Sequence, residues 1–131
     1  MAIQDGTATF EKKTLTNKEY VDDRIASVTR VTTGTLTILK GTADRNNLEK
    51  NGAIVEVNAS VTGISGTIAN TWNNIIQIPS GFLPKYVVDF AGINNASASS
   101  IQTQIQRDGI IRVWGQVTSF RCHVVYVAQG E

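Results

Sequence analysis

The segment from residue 101 to residue 127, IQTQIQRDGIIRVWGQVTSFRCHVVYV, constrains the fold more than any other part of the chain. Its first six positions alternate Ile or Thr with Gln, which is the two-residue period of a strand with one buried and one solvated face. Asp108-Gly109 follows, a dipeptide typical of a tight turn between strands. The segment is therefore predicted to form a hairpin and then a third strand.

The length of the hairpin loop follows from the same pattern, because residues paired across a hairpin share a face and a slip of one residue exchanges the faces. A loop of Asp108-Gly109 alone would pair Ile105 with Arg112 and mix apolar with polar side chains. A loop of residues 107–109 separates them, as a type I turn closed by a left-handed glycine. The predicted pairs are Ile105 with Ile111, Thr103 with Val113, Gln104 with Arg112 and Gln102 with Trp114.

Composition narrows the class of protein. The chain has 131 residues and a formal net charge of +1, so it suits one domain and lacks the basic face that duplex nucleic acid requires. Abundant Val, Ile, Thr and Asn with few charges indicate an all-β protein. No apolar run approaches the ~20 residues that a membrane helix needs, and the first residues lack an export signal. Neither nucleic acid nor membrane is therefore an expected partner.

Single residues exclude several kinds of site. One cysteine, Cys122, allows no intrachain disulfide and is expected to be small and buried. One histidine, His123, excludes a metal site built on several histidines. Hydrolase signatures such as GxSxG are absent, and Asp89 is an isolated carboxylate on a strand, whereas glycoside hydrolysis normally needs two. We therefore predict no catalytic residue, no metal and no cofactor.

A short helix is predicted near the N-terminus. Thr16 and Glu19 form a capping box, and a helix over about residues 17–30 follows the extended arm. Its apolar seam is narrow and consists of Val21, Ile25 and Val28. The seam could dock on the chain's own β domain or pair with copies of itself, in which case its branched residues favour three strands.

The rest of the chain is predicted to form an antiparallel β-sandwich or jelly roll of about eight strands over residues 34–131, preceded by an arm and trimerising helix over residues 1–33. The alternation over residues 53–62 predicts a long strand with one buried face. Residues 41–50 are a polar stretch that runs to the turn signal Asn51-Gly52. Two short strands are predicted within residues 63–79, one strand over 86–90, and a polar loop over 92–100.

A binding surface is predicted on the polar side of the hairpin. The last strand can direct Phe120, Cys122, Val124 and Tyr126 toward the core. Arg121 and His123 then emerge on the same side as Arg112, Trp114 and the glutamines. A Trp beside such groups can stack on a sugar ring while the polar groups bind its hydroxyls. Trp114 could instead fill a subunit interface, where Trp and Arg are favoured, and both roles could hold if the ligand binds at a subunit boundary. Trp72 is assigned to core or edge packing.

Two blocks resemble a known family. The segment KKTLTNKEYVDDRIA is similar to helical segments of bacteriophage tail and baseplate proteins. The block WNNIIQIPSGFLPKYVVDF, followed by a polar loop, IQTQIQRDGIIRVWG and a last strand, resembles the C-terminal head of receptor-binding proteins from tailed phages of Gram-positive bacteria. The likeness of the head runs from about residue 35 to residue 127. The region before the head is short and differs from that of longer family members, which carry an extended shoulder or neck.

The resemblance implies a homotrimer with a β-sandwich head at the tail tip of the virion. It implies host cell-wall saccharide as ligand and other phage tail or baseplate proteins as partners of the N-terminal region. Heads of this kind bind sugars with Trp, His, Arg and Asp, and the available residues here are Trp114, Arg112, His123, Arg121, Asp89 and the neighbouring Gln104. A structural or adaptor baseplate protein without its own ligand is the alternative, and a glycosidase is the third hypothesis.

Overall fold

The computed structural model describes residues 31–130, which form nine β-strands. The strands are β1 (Val31–Gly34), β2 (Thr37–Ile38), β3 (Thr42–Asn51), β4 (Ile54–Thr62), β5 (Trp72–Gln77), β6 (Val88–Asn94), β7 (Ser99–Ile105), β8 (Ile110–Trp114) and β9 (Phe120–Val127). The predicted helix and its seam of Val21, Ile25 and Val28 lie outside the described residues. The division at residue 33 therefore stays a prediction.

All nine strands belong to one antiparallel sheet, in the order β1-β3-β4-β9-β6-β7-β8-β5-β2. Residues from both ends of this order share a single apolar core, so the sheet curls until its inner faces oppose each other. The two halves meet where β6 pairs with β9, at Ile93 with Arg121 and Asn94 with Phe120. The prediction of an all-β antiparallel domain is confirmed.

Alternation builds the core from β4 and the hairpin. On β4, Val55, Val57, Ala59 and Val61 are fully buried, which confirms the long strand predicted there. The β7–β8 hairpin has the predicted register, with Ile105 opposite Ile111 and Gln104 opposite Arg112. Gly109 has a φ of 91° and its amide donates to Gln106 O, as a type I turn with a left-handed glycine requires. The β7–β8 ladder ends at Thr103 with Val113, one position before the predicted pair of Gln102 with Trp114.

Residues 41–50 are a polar stretch in which the sequence predicts no strand, but from Thr42 onward they are a strand in the structure. They form most of β3, which pairs with β4 along almost its whole length. Leu48 is the fully buried side chain of this strand, so its sequence shows hardly any apolar alternation. Backbone hydrogen bonding to a strongly apolar neighbour stabilises a strand whose own residues carry little signal.

The region from residue 63 to residue 79 contains one strand, β5, rather than two. A bulge between Asn74 and Ile76 places two consecutive isoleucines, Ile75 and Ile76, in the core. The next strand also differs from the prediction, because β6 begins at Val88 and extends to Asn94. The polar loop is therefore shorter than predicted.

No helix long and apolar enough to cross a membrane occurs among residues 31–130.

Candidate functional site

A row of polar and aromatic side chains crosses four neighbouring strands on the outer face of the sheet. Gln104 on β7 lies between Asp89 on β6 and Arg112 on β8. The Gln104 Nε2 group donates to Asp89 Oδ1 at 2.9 Å, and Arg112 Nε donates to Gln104 Oε1 at 2.8 Å. The second Arg112 donor, Nη2, bonds the same oxygen. The amide of Gln104 thereby links a carboxylate to a guanidinium and fixes the orientation of both.

Trp72 and Trp114 extend the row. They are directly paired across β5 and β8, with ring centroids 5.4 Å apart and ring planes at 78°, which is the edge-to-face geometry that aromatic pairs favour. The Arg112 guanidinium lies 4.5 Å from the centre of the Trp72 ring, a cation–π contact. Trp114 itself is 42% exposed. We call the five residues of this surface, Asp89, Gln104, Arg112, Trp72 and Trp114, the tryptophan row.

A buried amide supports the aromatic end of the tryptophan row. Asn73 is 6% exposed, and its Nδ2 donates to the carbonyl oxygens of Ile68 at 2.9 Å and Gly115 at 2.8 Å. Its Oδ1 accepts from the Ile68 amide at 2.8 Å. Asn73, the residue after Trp72, thus ties the loop before β5 to Gly115, the residue after Trp114.

A groove of about 350 Å³ adjoins Trp72 and is lined by residues such as Lys40, Ile68 and Asn74. Its volume is at the lower end of the range of small-molecule sites, ~300–1,000 Å³. Together with the tryptophan row, it offers an exposed aromatic face, a carboxylate acceptor, and arginine and lysine donors. Such a set can bind a neutral, hydroxyl-rich ring by stacking and hydrogen bonding.

The predicted site residues do not all come together. Asp89, Gln104, Arg112 and Trp114 lie in or beside one hydrogen-bonded row, as described. Arg121 and His123 line a separate cleft of about 290 Å³ that includes no member of the tryptophan row. They emerge on the exposed side of β9, as alternation predicted, but β6 and β7 separate them from β8 in the sheet.

The sequence assigns Trp72 to core or edge packing and predicts no contact between it and the candidate site. Trp72 is half-buried and contacts both Trp114 and Arg112. The contact depends on the pairing of β5 with β8, two strands that are distant in the chain. The local pattern around Trp72 carries no signal for that pairing.

Two titratable side chains, Cys122 and Tyr126, belong to the core. Cys122 is 5% exposed, and burial raises the pKa of its thiol to about 12, so the residue is a packed side chain at neutral pH. Burial also raises the pKa of Tyr126, whose hydroxyl donates to Phe82 O at 2.6 Å. Within the part of the chain that the structure describes, no group of His, Cys, Asp and Glu is arranged to hold a metal ion.

The fold and the site define a class: an all-β antiparallel domain with an aromatic and arginine-containing outer surface. Neither a protein-family model nor a curated protein matches the sequence. Among solved structures, the chain is similar to the crystal structure of the receptor binding protein (gp15) of Listeria phage PSA, with a TM-score of 0.66 and 16% identity. The match covers 96% of this chain and 80% of that chain. The likeness is one of fold.

Proposed function

We propose that this chain is a tail receptor-binding protein of a tailed bacteriophage that infects Gram-positive bacteria, and that it recognises saccharide on the host surface. The fold likeness to a phage receptor-binding protein supports the class. The sequence resemblance of the N-terminal segment and of the head supports the same class independently. The proposed location is the virion tail, where the N-terminal region contacts other tail or baseplate proteins.

The observation that carries saccharide recognition is the half-exposed Trp114 at the end of a fixed hydrogen-bonded row. Stacking on an aromatic face orients a sugar ring, and neighbouring groups of fixed geometry then select among its hydroxyls. Gln104 holds Arg112 and Asp89 before any ligand arrives, so little side-chain entropy is lost on binding. The exposed tryptophan is the expected anchor.

We further propose that the protein is a homotrimer without catalytic activity. The branched seam of Val21, Ile25 and Val28 supports three strands. In the tryptophan row, Asp89 is the one carboxylate, and it already accepts a hydrogen bond from Gln104. A glycosidase would need a second carboxyl group across the scissile bond. We expect no release of reducing sugar from host wall polysaccharide.

Adsorption to host cells tests this function. Trp114→Ala is expected to reduce binding of the purified protein to cells by at least about tenfold, the order of effect for a binding anchor that contributes more than ~1.4 kcal/mol. Tyr86→Ala is the control, because Tyr86 is 69% exposed and lines a different pocket. Unchanged binding by Trp114→Ala would remove Trp114 from the site.

An adaptor protein is the second candidate, favoured by the same exposed tryptophan, because a neighbouring subunit could cover it. In that case Trp114→Ala would lower the assembled mass, and wild-type protein would bind no host cells. Cell binding together with an unchanged mass for Trp114→Ala would exclude the adaptor function.

A further inference from the structure

The cleft that contains Arg121 and His123 lies where the two halves of the sheet meet. β6 and β9 pair at just two positions there, and the outer surface beside them forms a cleft of about 290 Å³. Its polar lining residues are Arg45, Asn58, Arg121 and His123. The remaining lining side chains are small or apolar, so the cleft is distinct in chemistry from the tryptophan row.

The charged residues that line this cleft are basic. None of its lining residues carries a carboxylate. Within residues 31–130, the one ion pair joins His123 Nε2 to Glu56 at 3.2 Å, so neither Arg45 nor Arg121 has a carboxylate partner within 4.0 Å. Two guanidinium groups therefore line a shared cleft, and the neighbouring carboxylate of Glu56 pairs with His123 and with neither arginine.

Two features orient Arg45. The β-bulge between Ala43 and Arg45 changes the register of β3, and such bulges re-aim side chains near binding sites. Arg45 Nη1 then donates to Asn58 Oδ1 at 3.1 Å, across to β4. Asn58 is itself paired with His123 on β9. Arg45 is thus oriented by a neutral partner, which leaves its charge uncompensated.

We propose that this cleft binds an anionic group, a phosphate or a carboxylate carried by a sugar residue of the surface polymer. Guanidinium groups match the geometry of both anions and form charge-assisted hydrogen bonds with them. Ala91 and Ile93 provide apolar surface for the body of the ligand. The inference rests on the proposed function, because it specifies the charge of the polymer that the protein recognises.

Titration of the purified full chain with small sugars tests the proposal. Glucose 1-phosphate, glucuronate and glucose are added separately, and binding is followed by amide chemical shifts. Glucose 1-phosphate or glucuronate is expected to shift the amides around Arg121 and Asn58, and glucose is expected to leave those amides unchanged. The acidic sugar that binds with the higher affinity then shows whether phosphate or carboxylate is the preferred anion.

Charge-neutralising variants complete the test. Arg45→Gln and Arg121→Gln are expected to weaken binding of the acidic sugar by about tenfold to a hundredfold, the effect of losing a hydrogen bond to a charged group. Arg107→Gln is the matched control, because Arg107 is exposed on the β7–β8 loop and the change in net charge is the same. All three residues are at the surface, so the variants are expected to fold.

Equal weakening by Arg107→Gln would show general electrostatic attraction and overturn the proposal. Binding of neither acidic sugar, or binding that survives both cleft variants, would also overturn it. Trp114→Ala is expected to leave the shifts around Arg121 intact. Failure of the cleft is therefore distinguishable from failure of the proposed function, which is measured by adsorption to cells through Trp114.

Discussion

At the scale of single residues, Gly92 shows how closely the two halves of the sheet approach each other. It lies on β6, and its amide donates to Thr103 Oγ1 at 3.1 Å. A Cβ atom at this position would lie 2.7 Å from that oxygen and closer still to the ring of Phe120. Gly92 is therefore required for packing, because Phe120 occupies the space of the missing side chain.

Gly92→Ala is expected to lower the free energy of unfolding by about 1–3 kcal/mol, the usual cost of overpacking a core. Urea unfolding at neutral pH measures this loss. Gly130→Ala is the control, since no atom lies within 4 Å of a Cβ added there. Equal stability of Gly92→Ala and wild type would show that Phe120 can move aside.

Cys122 gives a prediction for alkaline pH. Burial raises the pKa of its thiol from 9.0 to about 12, so the unfolded chain loses this proton first as the pH rises. The stabilising contribution is thus complete below pH 9 and is lost between pH 9 and pH 12. From pH 9 to pH 10 the free energy of unfolding is expected to fall by about 1 kcal/mol through this group.

Cys122→Ala is the test of that slope. The variant is expected to be less stable than wild type at pH 8, because a small cavity remains. Between pH 9 and pH 10, however, its free energy of unfolding should fall by about 1 kcal/mol less than that of wild type. Identical slopes in urea titrations at the two pH values would contradict a buried protonated thiol.

At the scale of elements, the loop before β5 depends on one amide. Asn73 bonds backbone groups of Ile68, Thr71 and Gly115 from a buried position. Asn73→Ala would leave these groups without their partner, at a cost of about 1–3 kcal/mol or more. Urea unfolding followed by tryptophan emission is the measurement, since both tryptophans lie beside this loop.

Asn74→Ala is the matched control, because the neighbouring Asn74 is exposed. It is expected to change the free energy of unfolding by less than about 0.5 kcal/mol. If the two alanine variants were equally stable, the hydrogen bonds of Asn73 would not be what holds the loop against β8.

Local patterns predicted the strands in which buried and exposed residues alternate without interruption. Alternation predicted β4 and the β7–β8 hairpin with its register, because a one-residue slip would expose the core. It failed for β3, where Leu48 is the fully buried residue, and for β5, where a bulge buries Ile75 and Ile76 together. A polar strand and a bulge both break the period on which the prediction depends.

The candidate site was also predicted only where local alternation determines which residues share a face. The β7–β8 register brought Gln104 beside Arg112, and alternation placed Arg121 and His123 on an exposed face. The partnership of Trp72 with Trp114 and the separation of the two surfaces depend on the order of strands in the sheet. Strand order is a long-range property, and no local pattern in a single chain encodes it.

At the scale of the whole molecule, the proposed trimer predicts the mass of the particle in solution. The chain has a mass of 14.2 kDa, so a trimer is expected to have three times that mass in light scattering. Ile25→Asp places a charge in the predicted seam and is expected to lower the mass toward that of one chain. A stable monomer of the wild-type chain would contradict the trimer.

Saccharide recognition on the tryptophan row is the central claim, and tryptophan emission tests it most directly. The chain contains two tryptophans, Trp72 and Trp114, and both belong to that surface. Titration with purified host wall polysaccharide is expected to give a saturable change in emission, and Trp114→Ala is expected to abolish it. Polysaccharide that binds without changing the emission, or that does not bind at all, would contradict the account.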